Sequence, residues 1–393
     1  MPTALHLIVV VAGLLLTLAT LPLLLELLGL SLAAALPAPA PAVSGTLRLA
    51  VIVPAHNEEQ LIATCIRSLL GPTNVTVYVV AHNCSDATAT RAAAAGATVL
   101  ELNDTVGGKG TALDHGFQHA IRAGAEALLV VDADSVAGPT LTAAVAATIA
   151  AGAGAVQARY QVANAAATSR TRLAALAFLG MNVVRPRGRE RLGLSCGIFG
   201  NGFALSADTL ARVPYTANSL VEDLEYHLHL IRAGIRVRFL DHVAVFGEMP
   251  DSSAAASTQR ARWEGGRILM RRQWTRPLAL EVLRGRLYLL EPLLDLRALP
   301  LATEAVLLVA IAVLGLCTHI AWLTGYSALG LGTLVLYILV AAALGPAPAT
   351  SLKALAAAPA YLLWKVLLIP KTRLASRRDA DWVRTKRNAD PPQ

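Results

Sequence analysis

Two aspartates follow a short apolar run in a pattern suited to holding a hard cation. The run ALLVV (127–131) predicts a buried strand, which delivers Asp132 and Asp134 to its carboxyl end. Two carboxylates at positions i and i+2 of an extended chain can both reach one cation, directly or through water. A diphosphate ligand needs such a cation, because its leaving group develops negative charge. A solvated aspartate turn is the competing interpretation, since Asp-x-Asp alone is common.

A second acidic pair, Glu222 and Asp223, stands at the start of a predicted helix over 221–234, and Gly234 is a fitting residue to end it. Acids in a first turn usually just complement the helix dipole. A carboxylate in a cleft can also remove a proton from an attacking hydroxyl group. Asp223 is the candidate for this general base.

Further along the chain, Gln259, Arg262 and Trp263 fall at i, i+3 and i+4, so they share one face of a predicted helix. A Trp ring offers a flat apolar surface for a sugar ring, and an Arg can bind a diphosphate with two hydrogen bonds. An amphipathic helix lying on a membrane is the competing interpretation.

Several other polar segments follow predicted strands. VIVPAHNEE (51–59) carries Pro54, His56, Asn57 and Glu58, and we expect Pro54 to stop the strand ladder. VVAHNCSDAT (79–88) carries His82, which faces the strand-end crevice, and Asp86, which could cap the next helix. Taken alone, each segment is explained by capping or turn chemistry.

Two glycine-rich segments complete the set of candidates. GGKGTALDHGF (107–117) combines a flexible turn with Lys109, so backbone N–H groups and an ammonium group could meet phosphate. GIFGNGFALS (197–206) contains Gly200, Asn201 and Gly202, small residues that would let a sugar or an acceptor approach the backbone. Ordinary loops are the alternative in both cases.

The elements that would position these residues alternate between strand and helix. Strands are predicted over 49–53, 75–80, 98–100 and 127–131, and helices over 58–70, 86–95 and 111–122. This alternation implies right-handed βαβ crossovers and an α/β fold with a mainly parallel sheet. Ligands bind such sheets at the carboxyl ends of the strands, where the polar segments fall.

Apolar stretches flank this region. Residues 5–30 are long enough to cross a bilayer of ~30 Å, and they lack the basic start and short apolar core of a signal peptide, so a retained anchor is favoured. Residues 301–323 and 326–344 can each span as well. The segment 351–370 is predicted to be an interfacial or re-entrant helix, because a fourth span would put the basic tail outside.

These stretches predict a modular chain. The predicted units are an anchor over 1–30, a Pro-rich linker over 31–47, a catalytic domain over 48–275, interfacial helices over 276–300, two membrane helices over 301–345, and an interfacial helix with a basic cytoplasmic tail over 346–393.

The net charge of +8 suits anionic lipid headgroups and nucleotide phosphates. Nucleic acid is not an expected partner, because no nucleic-acid-binding motif accompanies the charge. The four cysteines form no CxxC pair, which fits free thiols in a reducing compartment.

In their order along residues 48–275, these segments resemble glycosyltransferase family 2, the inverting GT-A transferases. They are most similar to its membrane-bound branch, which includes the cellulose, chitin and hyaluronan synthases and the ceramide glucosyltransferases. The resemblance implies a GT-A fold, with a mixed, mainly parallel sheet, and an enzyme that moves a sugar from a nucleotide-diphosphate donor to a lipid or glycan acceptor.

The resemblance also implies roles for the candidates. Asp223 is the implied base, and Asp132 and Asp134 would hold Mg²⁺ or Mn²⁺. The implied donor-binding residues are Pro54, His56, Asn57, Glu58, His82, Asp86, Lys109, Asp132 and Arg262. The implied acceptor-binding residues are Gly200, Asn201, Gly202, Glu222, Gln259 and Trp263.

Two departures from the family leave alternatives open. Many members have a base-reading acid where this chain has Ala81 and His82, although a UDP-sugar is still the expected donor. Three predicted spans make a poor pore, which favours a lipid or short glycan acceptor over a processive synthase that exports a polymer. An assembly of several chains would restore the second alternative. An inactive membrane scaffold is a third, and the retained aspartates argue against it.

Overall fold

The computed structural model describes residues 3–37, 47–71, 74–103, 106–217 and 219–368, together with 370, 372 and 374. Most of the predicted Pro-rich linker (38–46) and of the predicted basic tail (375–393) lies outside the described residues.

A mixed sheet of eight strands forms the centre of the described structure between residues 47 and 250. The strands are β1 Leu49–Ala55, β2 Val75–His82, β3 Thr98–Leu102, β4 Ala127–Val130, β5 Ser135–Ala137, β6 Ala155–Val162, β7 Phe203–Ser206 and β8 Val237–Gly247. Their order in the sheet is β3-β2-β1-β4-β7-β6-β8-β5. The pairs β1/β2, β1/β4, β2/β3 and β6/β8 are parallel, whereas β7 runs antiparallel to β4 and β6, and β5 antiparallel to β8. The predicted mixed, mainly parallel sheet is confirmed.

Helices surround this sheet and continue into an apolar helical region. They are α1 Thr3–Ala34, α2 Ile62–Leu69, α3 Thr88–Ala94, α4 Lys109–Arg122, α5 Leu141–Ala150, α6 Ser169–Leu179, α7 Arg185–Arg191, α8 Ala207–Arg212, α9 Glu222–Arg232, α10 Ser253–Leu283, α11 Leu290–Arg297, α12 Leu301–Thr318, α13 Ala321–Ala343, α14 Pro348–Lys353 and α15 Ala358–Leu367. A π-helix, Gly180–Val184, joins α6 to α7, and 3₁₀ turns cover Leu287–Leu289 and Ala354–Ala357.

The strand β1 shows why the sheet is buried on both faces. Its alternate residues Leu49, Val51 and Val53 belong to one core cluster, whereas Ala50 and Ile52 belong to the cluster on the other face. Successive strand residues point to opposite faces, so an entirely apolar strand needs helices on both.

The prediction that Pro54 stops the strand ladder was wrong. β1 continues through Pro54, which pairs with Val80, to Ala55. The N–H of Val131 donates to the carbonyl oxygen of Ile52, so the backbone N–H and C=O groups of Ile52 face β4. Backbone direction repeats every two residues in a strand, so the nitrogen of Pro54 faces the same side. Pairing between β1 and β4 ends at Ile52, and the missing N–H of Pro54 therefore leaves no ladder bond unmade.

Three predicted helix boundaries also differ from the structure. α2 begins at Ile62 and not at 58, because Leu61 and Ile62 first form a turn on the carbonyl oxygen of Glu58. α1 runs on to Ala34, four residues beyond the predicted anchor. α10 crosses the predicted domain boundary at 275 and ends before Gly285, which has a φ of +93°.

Within the described residues, α1, α12 and α13 are long and apolar enough to cross a membrane. α12 and α13 form a hairpin, in which His319 adopts the left-handed conformation with a φ of +57°. The turn therefore falls at 319–320, slightly before the predicted break at 324–325. The three helices pack through a shared apolar cluster that includes Leu27, Leu308 and Leu323.

Helix α7 approaches the apolar helix α1 closely at Gly188. A Cβ at this position would lie 2.8 Å from the Cα of Leu30. Because that neighbour is backbone, it cannot rotate away. Glycine is therefore required for the two helices to pack at this distance.

We expect Gly188→Ala to destabilise the protein by about 1–3 kcal/mol, although alanine is normally the better helix former. Thermal denaturation in detergent measures the change. Gly332→Ala in α13 is the matched control, because a Cβ there would meet nothing within 4 Å. An unchanged midpoint for Gly188→Ala would contradict the close packing of α7 on α1.

Candidate active site

A cavity of about 530 Å³ opens at the carboxyl ends of β1, β2 and β4. Most of the predicted site residues line it, namely Pro54, His56, Glu58, His82, Lys109, Asp132, Asp134, Gly200, Glu222, Asp223, Gln259, Arg262 and Trp263. Asp132, Asp134 and Asp223, which are far apart in the sequence, thus meet at one cavity. Asn57, Asp86, Asn201 and Gly202 do not line it.

Asp132 and Asp134 belong to the loop between β4 and β5, which we call the aspartate loop. The buried side chain of Asn201 holds this loop in place. The N–H of Asp132 donates to Asn201 Oδ1 at 3.1 Å, and Asn201 Nδ2 donates to Ser135 Oγ at 2.9 Å. Asn201 is fully buried, so it cannot contact an acceptor as the sequence predicted. Its amide instead holds the two ends of the aspartate loop.

Gly202 also lies behind the cavity wall. Its N–H donates to the carbonyl oxygen of Val130 at 2.9 Å, at the end of β4. Its φ is +72°, and a Cβ would lie 2.9 Å from Val245 Cγ2. Glycine is therefore required here by the left-handed backbone and by the close approach of Val245 in β8, and the buried Gly202 is not available to an acceptor.

Lys109 is the first residue of α4 and occupies the centre of the site. Its Nζ donates to Asp132 Oδ1 at 2.5 Å and to the carbonyl oxygen of Gly200 at 2.6 Å, and it lies 3.9 Å from Glu222 Oε1. Burial alone would lower the pKa of Lys109, but the charges of Asp132 and Glu222 outweigh it and raise the pKa. The site therefore contains a fixed positive charge.

Glu222 and Asp223 are the first two residues of α9, as predicted. Burial raises the pKa of Glu222 to about 7, against a lowering by Lys109, and burial also raises the pKa of Asp223. The N–H of Leu224 donates to Asp223 Oδ1 at 2.8 Å. A Cβ on Gly200 would lie 3.3 Å from Asp223 Oδ2, so the glycine gives this carboxylate room.

The raised pKa of Glu222 makes stability depend on pH. Between its ordinary value of 4.5 and about 7, the folded protein binds more protons at this group than the unfolded chain, so stability falls as pH rises through that range. Glu222→Gln removes the effect. We expect the variant to match the wild type well below pH 4.5 and to be more stable at pH 8, by up to about 3 kcal/mol.

Thermal denaturation of both proteins across this pH range measures the difference. The stability measured well below pH 4.5 is the internal control, since Glu222 is then protonated in both the folded and the unfolded state. A difference between the two proteins that does not change with pH would argue against a proton on Glu222.

His56 and Glu58, which follow β1, face the cavity together with His82, at the end of β2. His56 Nδ1 lies 2.8 Å from the carbonyl oxygen of His82, which ties the two strand ends together. Glu58 is buried, and its N–H donates to Thr88 Oγ1 at 2.8 Å. Pro54 lines the same part of the cavity.

Asn57 and Asp86 connect the loops behind this wall. Asn57 Oδ1 accepts a hydrogen bond from the N–H of Ser85 at 2.8 Å. Asp86 Oδ1 accepts one from the N–H of Thr88, two residues on, at 2.9 Å, and Oδ2 accepts one from the N–H of Glu59 at 3.2 Å. Burial would raise the pKa of Asp86, but these hydrogen bonds outweigh it and lower the pKa. The N-cap of α3 is Ala87, so Asp86 forms the turn that precedes the helix and does not cap it as predicted.

The face of α10 predicted from its spacing does point at the cavity, through Gln259, Arg262 and Trp263. The ring of Trp263 stacks on that of Phe178, with centroids 6.3 Å apart. Trp263 is thus fixed from one side.

Sequence reasoning missed a group of charged residues at the far end of the cavity. Arg185 and Arg189 of α7, Arg267 of α10, and Glu291 and Asp295 of α11 all line it. The charged run RPRGRER (185–191) was the available signal. Its partners could not be read from the sequence, because they come from distant helices.

The residues present fit a divalent cation only in part. Asp132 and Asp134 offer the hard oxygen ligands that Mg²⁺ and Mn²⁺ prefer. Among the residues that the structure describes, no group of three or more His, Cys, Asp or Glu side chains is placed to hold a metal ion. Two carboxylates alone leave most ligand positions of such a cation open, which suits a cation that also binds oxygen atoms of a ligand in the cavity.

The comparison with protein families shows which family the chain belongs to. The family described as glycosyltransferase like family 2 matches residues 47–266, which is more than half of the chain. The chain is a member of glycosyltransferase family 2. The match covers the sheet, the aspartate loop and the first part of α10.

Individual relatives of this glycosyltransferase are more distant. It is 24% identical over 242 residues to the Probable glycosyltransferase YdaM of Bacillus subtilis (strain 168), a match that covers 56% of this chain and 55% of the relative. The chain thus aligns with about half the length of that curated relative.

One solved structure resembles nearly the whole chain. It is the mannosyltransferase PcManGT from Pyrobaculum calidifontis, in complex with GDP-Man and Mn²⁺, with a TM-score of 0.55 and 20% identity. The likeness covers 93% of this chain and 96% of that protein. It confirms the GT-A fold that the sequence led us to expect.

Proposed function

We propose that this glycosyltransferase moves a sugar from a nucleotide-diphosphate sugar to a lipid or glycan acceptor in the membrane, with inversion at the anomeric carbon. The observation that carries the proposal is the convergence of Asp132, Asp134 and Asp223 on one cavity. One end of that cavity lies at the strand termini, and at its other end Arg185 and Arg189 contact Glu26 of the candidate span α1.

In this proposal Asp223 is the general base. The acceptor hydroxyl gives its proton to the Asp223 carboxylate as its oxygen attacks the anomeric carbon. Burial raises the pKa of Asp223, which makes its carboxylate a stronger proton acceptor than an exposed aspartate.

The donor diphosphate lies, in this proposal, between Lys109, Arg262 and the aspartate loop. Lys109 is kept charged by Asp132 and Glu222, so it can stabilise a leaving diphosphate. Asp132 and Asp134 would hold Mg²⁺ or Mn²⁺, which would add positive charge at the same phosphates.

The nucleobase is expected near His56, Glu58 and His82, at the other end of the cavity. A uridine donor is the expectation from the sequence, whereas the related mannosyltransferase holds GDP-Man. Both donors therefore belong in the test.

We place the catalytic domain on the cytoplasmic side of the membrane, where nucleotide sugars occur. Three candidate spans and the basic segment from Lys371 to Arg387 support this orientation.

Thermal stabilisation in detergent tests the donor site. With Mn²⁺ or Mg²⁺ present, a UDP- or GDP-sugar at about 100 times its Kd should stabilise the folded protein by about 2.7 kcal/mol, and a chelator should reverse this. Asp134→Asn should lose the metal-dependent part. The control is Asp208→Asn, which changes an exposed aspartate in the first turn of α8. No stabilisation by any nucleotide sugar, and no cleavage of one, would refute the proposed function.

A further inference from the structure

The cavity continues beyond Asp223 toward the membrane helices. There, Arg185 and Arg189 of α7 face Glu291 and Asp295 of α11. Glu26 of the membrane helix α1 bonds to both arginines, so this end of the cavity adjoins the membrane region. An acceptor that arrives from the bilayer would meet these side chains.

The charges at this end are balanced. Arg189 binds Glu291 at 2.6 Å, Glu26 at 2.7 Å and Asp295 at 3.0 Å. Arg185 binds Glu26 at 2.5 Å and also contacts Asp295.

A third arginine completes the cluster. Arg267 lies 3.2 Å from Asp295. Three guanidinium groups are thus matched by three carboxylates, those of Glu26, Glu291 and Asp295. Each carboxylate forms an ion pair with at least one of the arginines. We call these six residues the charge cluster.

This balance disfavours a phosphate in the acceptor. A phosphate would have to draw an arginine away from its carboxylate, and an unpaired carboxylate in a buried site is costly. A phosphate that carries two negative charges also has no proton to give to Glu291 or Asp295.

A hydroxyl group suits the charge cluster better, because it both donates and accepts hydrogen bonds. The Arg and carboxylate groups of the cluster that line the cavity, Arg185, Arg189, Arg267, Glu291 and Asp295, include both hydrogen-bond donors and acceptors. A hydroxyl group can therefore bond to either kind without displacing an ion pair.

Apolar and aromatic side chains also line this half of the cavity, beside the polar Asn182 and His227. The apolar and aromatic side chains are Tyr160, Phe178, Met181, Leu224, Leu228 and Leu296. Such a wall suits the hydrocarbon part of an amphiphile, which gains by leaving water.

We propose that the acceptor is a neutral amphiphile with a hydroxyl-bearing head group, such as glycerol or a sugar, and that lipid phosphates are excluded. The inference rests on the proposed function. The hydroxyl oxygen forms a bond to the anomeric carbon and its proton passes to Asp223. The bond from that carbon to the diphosphate breaks, and its electron pair leaves with the nucleoside diphosphate.

The test compares two single-chain probes of equal length, dodecyl glucoside and dodecyl phosphate, with the full-length protein in phosphatidylcholine nanodiscs. The donor is a radiolabelled nucleotide sugar, and donor cleavage is followed separately from transfer to lipid. We expect transfer to the glucoside at a rate at least about tenfold that to the phosphate. We also expect a product bond that survives mild acid, as a glycoside does and a glycosyl phosphate does not.

The outcomes separate the two proposals. Transfer to dodecyl phosphate at an equal or higher rate would overturn the inference and leave the proposed function intact. Donor cleavage without transfer to the glucoside would overturn it as well. Absence of donor cleavage, with no stabilisation by any nucleotide sugar, would refute the proposed function.

Two variants test the charge balance directly. Glu291→Gln leaves Arg189 short of one carboxylate, so dodecyl phosphate should inhibit this variant at least about tenfold more strongly than the wild type. Arg267→Gln removes a positive charge from the cluster instead, so dodecyl phosphate should not inhibit this variant more strongly than the wild type. Equal inhibition of wild type and both variants would count against the inference, and folding of each is checked by its denaturation midpoint.

Discussion

Replacing Asp223 by asparagine is expected to lower the rate of sugar transfer by about 10²–10⁴-fold, while nucleotide-sugar binding stays within about twofold of the wild type. Asparagine keeps the size of the side chain and its polar atoms, but it cannot take a proton from the acceptor. The donor is bound, in our proposal, by Lys109 and the aspartate loop.

Asp208→Asn is the matched control for this measurement. Both aspartates are the second residue of a helix, Asp208 in α8 and Asp223 in α9, but Asp208 is exposed and lies outside the cavity. Transfer is measured at saturating donor and acceptor, and binding by donor-dependent stabilisation. If Asp223→Asn keeps full transfer activity, another group is the base.

Replacing Arg189 by leucine is expected to destabilise the folded protein by about 3–5 kcal/mol. The Arg189 side chain is 8% exposed and contacts Glu26, Glu291 and Asp295. Leucine would fill part of the space but would leave buried carboxylates short of a positive charge. The pKa of Glu291 is already raised by burial although Arg189 opposes it, so loss of Arg189 should raise it further.

The denaturation midpoint in detergent measures this loss, and lowering the pH should recover part of it by protonating Glu291. Arg48→Leu is the control for removing an arginine. Its ion pair with Glu126 is exposed, with side chains 70% and 48% accessible, and such pairs contribute about 0–1 kcal/mol. If Arg189→Leu is no more destabilising than Arg48→Leu, the charge cluster does not stabilise the fold.

The part of the site that could be predicted from sequence is the part that depends on local patterns. Asp132 follows a strand whose every residue is apolar, and Gln259 and Trp263 share a helical face. Strand period, helix period and the rule that parallel strands present their carboxyl ends together were enough to bring these residues to one cavity.

What could not be predicted depends on partners from distant parts of the chain. Asn201 sits in a glycine-rich loop that looks open to a ligand, yet its amide is used to hold the aspartate loop. Arg185 and Arg189 have their partners far away in the sequence, since Glu26 is more than 150 residues earlier and Asp295 about 100 residues later. No periodicity connects such residues, so only the folded structure shows that they balance one another.

The contribution of α1 to the charge cluster has a practical consequence for anyone preparing this protein. The first 34 residues look like a removable tether, and a truncated, water-soluble version is the obvious preparation to attempt. Such a version would lack Glu26, so Arg185 and Arg189 would each lose a partner at the floor of the cavity. A foreign hydrophobic segment in its place would not repair the defect unless it supplied an acid at the position of Glu26. Its backbone would also have to pack against Gly188 as closely as that of Leu30 does. The amino-terminal helix is therefore best regarded as a working part of the enzyme.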